Sequence, residues 1–159
     1  MNDNLFKKRI SVEQIEESTD LAPKFDKDGL IPVITTDFES GEVLMHGYMN
    51  SEAFEKSIQI GEAVYFSRSR QCLWHKGNKS GFKQIIKEIR IDDDQDSVWL
   101  RVVVKGGASC HVGYRSCFYR SIPLKKESEQ SKIILKFKEN KKVFDPKEIY
   151  GDEVNPTKL

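Results

Sequence analysis

The chain has 159 residues, 38% hydrophobic and 32% charged, and its 26 lysines and arginines against 25 aspartates and glutamates leave a net charge of +1. That length suits one domain with a moderate core, and the balanced charge excludes a bulk pull toward nucleic acid or an acidic membrane surface, so any anion binding is local. No apolar run approaches membrane-spanning length, the opening residues MNDNLFKKRI hold no leader-like apolar stretch, and the three cysteines are odd in number; we expect a cytoplasmic protein with thiols as ligands or nucleophiles and with no nucleic-acid or membrane partner.

Residues 1–24 read as an N-terminal arm with a faint helical pattern (Leu5, Ile10, Val12, Ile15). A turn over residues 25–30 leads into the β-branched run 31–36, with Pro32 near the strand start, where a missing N–H is tolerated. Glu39, Ser40 and Gly41 turn the chain, and residues 42–46 return as the second arm of a hairpin. Asn50 then caps a helix, with Glu52 in its first turn, Phe54 and Ile58 on one face, and Gly61 at its end. Residues 63–67 form a short strand that opens into a basic loop over 67–81. Ile85, Ile89 and Ile91 share one face of the next strand, and Val98, Leu100, Val102 and Val104 alternate on the one after; an acidic tip at 92–96 joins the two. After Tyr119, residues 122–159 read as a lysine-rich extension with an edge strand at 133–137 and a short final helix begun by Asp145 and Pro146. Strands dominate, so the expected class is mainly β or α+β.

Three stretches carry chemistry. In the acidic tip, Asp92, Asp94 and Asp96 fall on one side of an extended backbone, and the mutual repulsion of such carboxylates is relieved by a hard cation such as Mg²⁺; a solvated turn also favours aspartate. After the following strand, Gly106 and Gly107 lead to Cys110, His111 and Cys117. Two thiols are a partial zinc set that needs a third ligand, or else a pair of small buried side chains, and His111 is a candidate general acid/base. The 67–81 loop combines arginine forks, hydroxyls and glycine amides suited to a phosphate monoester, though a solvated basic loop has the same composition, and Trp74 offers a stacking face or an anchor.

The ordered run FSRSRQCLWHKGNKSG, IDDDQD and GGASCHVGYRSCF, preceded by DGLIPVI and GEVLMHGYMN, resembles the phosphoribosyl-AMP cyclohydrolase family over about residues 25–119. The resemblance defines a cyclohydrolase-like domain at 25–121, with an arm before it and an extension at 122–159. It implies a small open, barrel-like sheet capped by a helix. It also implies a homodimer with a shared metal site, Zn²⁺ and Mg²⁺ as cofactors, and opening of the adenine ring of phosphoribosyl-AMP in histidine biosynthesis. On this resemblance Asp92, Asp94 and Asp96 match the magnesium aspartates, and Cys110 and Cys117 match two zinc cysteines. Asp93 stands in the place of the third zinc cysteine, Asn78 in that of a glutamate and Val112 in that of a threonine. His111 is the expected catalytic residue, and Ser67, Arg68, Ser69, Arg70, Trp74, His75, Lys76, Ser80 and Arg115 are the expected substrate contacts. A paralogue acting on a related nucleotide or heterocycle, or a non-catalytic nucleotide-binding module, would keep the same fold.

Overall fold

The computed structural model describes residues 5–124 and 132–159; the part of the lysine-rich extension at 125–131 lies outside the described residues. Helix α1 (Val12–Glu17) is followed by strands β1 (Ile31–Asp37) and β2 (Val43–Met49), helix α2 (Ser51–Ile60), and strands β3 (Val64–Ser67) and β4 (Cys72–His75). Strands β5 (Gln84–Ile91), β6 (Val98–Val104), β7 (Arg120–Ser121) and β8 (Lys136–Phe137) come next, and helix α3 (Pro146–Tyr150) is last. This is a mainly β, α+β architecture with short helices. Among the described residues no helix is long and apolar enough to cross a membrane.

The central sheet has the order β2-β1-β6-β5. The β1–β2 and β5–β6 hairpins are antiparallel, and β1 lies parallel to β6, with Ile34 opposite Trp99 and Thr36 opposite Arg101. Period-two alternation sorts the side chains. Ile31, Val33, Thr35, Val98, Leu100 and Val102 are buried on one face, where Leu44, Met49, Phe54 and Tyr65 join them in the core. Helix α2 forms because Asn50 accepts a hydrogen bond from the Ala53 amide and Gly61 closes the C-terminus in the left-handed region (φ 67°). Its buried face is Ala53, Phe54 and Ser57, whereas Ile58 of the expected pair is exposed. The Ser57 hydroxyl explains the difference: it donates to the carbonyls of Ala53 and Val64 and accepts from the Val64 amide, fastening the helix to β3.

The basic stretch departs from the expected open loop. Residues 72–75 form β4, which pairs with β3 so that Tyr65 faces Trp74 and Ser67 faces Cys72. The turn between them is short because Gln71 takes a left-handed conformation (φ 52°). Backbone bonds from Ala63 to Gln84 and from Lys76 to Ala63 tie this hairpin to the start of β5. The expected edge strand at 133–137 is reduced to residues 136–137, which pair with β7.

The N-terminal segment packs closely on the sheet. Phe6 is buried against Phe54, with ring centroids 5.2 Å apart. Arg9 donates to the carbonyls of Ala22 and Asp94, and the buried Gln95 side chain binds the Ala22 amide and the Ile15 and Asp20 carbonyls. The acidic tip is therefore clamped by the segment that precedes the first strand.

Candidate active site

The two ends of β6 carry different chemistry. At its start, side-chain oxygens of Asp92, Asp94 and Asp96 lie within 4.8 Å of one another. Asp92 Oδ1 accepts from the backbone amides of Asp96 and Ser97, which bends the chain and aims the carboxylates together. Hydrogen bonding to Asp92, with Asp94 close by, holds Asp96 above the usual carboxylate range. This is a donor set of hard oxygens crowded by repulsion, and it fits a divalent cation such as Mg²⁺. Asp93 is exposed and stands outside the cluster.

Beyond the other end of β6 the chain coils through Gly106 and Gly107 to the thiol loop. Cys110 donates its amide to the Tyr114 carbonyl and accepts from Gly113, and the Cys117 amide donates to Leu44 on β2. These bonds bring the thiols into contact. The hydrogen bond between the Cys110 and Cys117 side chains, with help from the Val112 and Tyr114 amides and the Lys76 charge, lowers Cys110 to about 6 against the opposing effect of burial. Cys117 is correspondingly pushed up, with burial adding to the shift. Two adjacent thiols that share a hydrogen bond, beside a lysine charge, are a donor pair that fits a soft cation such as Zn²⁺. Among the described residues no third His, Cys, Asp or Glu donor joins the two. Asp93 precedes β6 and Cys110 follows it, so the strand alone sets them roughly 20 Å apart at about 3.3 Å per residue.

Lys76 is only 6% exposed, and burial lowers its pKa. Its Nζ donates to the Ser109 carbonyl and lies 4.6 Å from the centroid of the Trp74 ring. It faces the thiols, where a phosphate contact was expected to draw it outward. Ser109 is held from below as well. Thr35, Tyr65, Gln84 and the Ser109 hydroxyl form a buried chain of hydrogen bonds, two of them 2.6 Å long. The adjacent His111 ring is half buried, with Nε2 unpartnered among the described residues. Burial, then the Lys76 charge, holds its pKa down, while contact with the Asn155 side chain acts the other way.

A cavity of about 520 Å³ opens in front of His111. Ser69, Arg70, Trp74, His75, Lys76 and Ser80, six of the expected substrate contacts, are among the residues that line it. Within this wall His75 Nε2 is 2.6 Å from Glu62, and Arg70 is braced by the Ser67 hydroxyl. Three expected contacts lie outside the lining. Ser67 is taken up by Arg70, Arg68 rests 4.1 Å over the Tyr48 ring, and Arg115 is bound to Glu42 and Asp37. The opposite wall comes from the C-terminal segment, with Lys147, Tyr150, Glu153, Asn155 and Lys158. Sequence reasoning missed these residues; the Asp145–Pro146 helix start was the sign nearest to them that this part of the extension is ordered.

An imidazole and a cationic rim line one cavity, and the thiol pair lies in the same loop as His111, outside that lining; such a set can bind an anionic substrate beside a metal-type donor pair. The sequence comparisons sharpen that reading. A family model described as phosphoribosyl-AMP cyclohydrolase matches residues 45–119. A phosphoribosyl-AMP cyclohydrolase of Rhodopseudomonas palustris (strain HaA2) is 50% identical over 141 residues, 89% of this chain and 93% of the relative. One of Rhizobium etli (strain CIAT 652) is 48% identical over 138 residues, 86% of this chain and 89% of the relative. The chain belongs to the phosphoribosyl-AMP cyclohydrolase family, and it is a cyclohydrolase of histidine biosynthesis.

Proposed function

We propose that the enzyme opens the adenine ring of phosphoribosyl-AMP at the N1–C6 bond in the cavity between the 67–81 stretch and the C-terminal segment. Water oxygen bonds to C6, the N1–C6 bond breaks, and a proton passes to N1. His111 stands where it can carry that proton, since its ring borders the cavity and its depressed pKa keeps it neutral and able to accept. Arg70 and Ser80 hold phosphate, and Trp74 backs the cavity wall.

The thiol pair is the observation that carries this reading. Cys110 and Cys117 would hold Zn²⁺, and Asp92, Asp94 and Asp96 would hold Mg²⁺. Zinc, when bound, lowers the pKa of water and so supplies hydroxide near neutral pH. The third zinc ligand is Asp93 of a second copy. An exposed Asp93 at one end of β6 and an incomplete thiol pair at the other support a homodimer with shared metal sites. The bonds joining the β3–β4 hairpin to β5 support a barrel-like closure of the sheet. Free cysteines, with Cys110 held partly as thiolate, suit a reducing cytoplasm.

The test is turnover of phosphoribosyl-AMP followed by ultraviolet absorbance, with metal content measured on the same sample. Conversion that is abolished by chelation and restored by zinc with magnesium is expected. Full activity in metal-free protein, or in Cys110→Ser without zinc, overturns the metal assignment.

A further inference from the structure

The C-terminal segment is fastened to the site on both sides. The Val143 amide donates to the Gly113 carbonyl in the thiol loop at 2.7 Å. A Cβ on Gly113 would come within 2.4 Å of the Phe144 carbonyl, so the two backbones meet without room for a side chain. Phe144 packs on Phe82, with ring centroids 4.8 Å apart, and Asn155 reaches the His111 ring. The segment is a fitted wall, and its charges are presented to the cavity by that fit. Arg70, Lys76, Lys79, Lys147 and Lys158 line the cavity, and Glu153 is the one carboxylate among the lining residues. In a chain whose net charge is +1, five cations to one anion is a concentrated field. That single carboxylate pairs with Lys79.

The substrate named by the family carries two phosphate monoesters, one on each ribose. A carboxylate fixed in the mouth of the cavity repels them, unless it stands in for a phosphate while the site is empty. We propose that Lys79, Lys147 and Lys158 form a phosphate subsite of the active site, and that Glu153 occupies Lys79 until a substrate phosphate displaces it. This deepens the reading above and rests on it.

Glu153→Gln, Lys79→Met and the double variant test the idea, with AMP as a binding probe by calorimetry and phosphoribosyl-AMP for KM. An exposed ion pair sets the scale, so Glu153→Gln is expected to tighten AMP binding and lower KM by about two- to fivefold. Lys79→Met weakens binding, and in its background Glu153→Gln loses its effect. Lys147→Met with Lys158→Met raises KM by about tenfold, as loss of charge-assisted phosphate contacts does. If Lys79→Met leaves AMP binding intact, the assignment of phosphate to this stretch fails and the subsite falls with it. If Lys79→Met weakens binding but Glu153→Gln changes neither affinity nor KM, only the displacement idea falls. If the effect of Glu153→Gln is the same with and without Lys79, it arises from bulk charge and the proposal is overturned.

Discussion

Tyr65 shows how a core residue reaches the chemistry. Its phenol is fully buried, donates its hydrogen to Gln84 Oε1 and accepts from Thr35. Burial pushes its pKa up, so it remains a donor throughout the physiological range. Gln84 in turn reaches the Ser109 hydroxyl beside Cys110. Tyr65→Phe leaves the Gln84 carbonyl oxygen without its donor inside the core, at a cost of about 1–3 kcal/mol. Urea denaturation should show that loss, and zinc retention on dialysis should fall with it because Ser109 loses its footing. Unchanged stability would mean that another donor replaces the phenol. The grouping of Cys110, His111 and Cys117 was legible from sequence because they fall within eight residues of one glycine-bearing loop, and the structure brings the two thiols together there. The direction of Lys76 was not legible. A lysine in a basic stretch reads as solvated, and only the register of β4 and the Trp74 ring turn it toward the thiols.

At the scale of elements, the acidic hairpin depends on the N-terminal segment. Gln95 sits between Asp94 and Asp96 at φ 58°, and its side chain is wholly spent on residues 15–22. Gln95→Ala strands one amide and two carbonyls, so a stability loss of about 2 kcal/mol or more is expected, along with weaker Mg²⁺ binding by calorimetry. Normal Mg²⁺ affinity in that variant would show that the hairpin holds its shape unaided. Proton linkage gives a second test. Asp96 keeps its proton to higher pH in the folded hairpin, so the folded metal-free protein binds protons more tightly than the unfolded chain does. The stability this group contributes is present below the ordinary aspartate value of 3.8 and is lost as pH rises through the raised value. Above it the carboxylates repel, and a bound cation relieves them. Mg²⁺ should therefore raise the melting temperature more at pH 7 than at pH 4; an equal shift at both would place the ion elsewhere. The β1–β2 and β5–β6 hairpins and α2 were legible because alternation, turn residues and caps agree there. The β4 strand was hidden, since Cys72–His75 is short and flanked by charge and its pairing depends on the left-handed Gln71. The docking of residues 142–158 was hidden for a similar reason, being set by contacts with Gly113 and Phe82 far away in sequence.

The whole molecule raises a question of stoichiometry, because one chain separates its hard and soft donors by the length of β6. If Asp93 serves the thiols of a second copy, each zinc site takes Cys110 and Cys117 from one subunit and Asp93 from the other. Cys110→Ser and Asp93→Ala each then inactivate both sites of a homodimer. A mixed dimer behaves differently. The Asp93→Ala subunit offers intact thiols, the Cys110→Ser subunit offers an intact Asp93, and one of the two sites is whole. Random reassortment makes half of the dimers mixed, with one working site in each, so a mixture of two inactive proteins should recover about a quarter of the wild-type activity per chain. Zinc should reappear in proportion. A mixture that stays inactive while mixed dimers are demonstrably present would place all three ligands within one subunit or remove Asp93 from the set. Recovery of activity fixes the dimer as the catalytic unit, with each zinc bridging the far end of one β6 to the near end of the other.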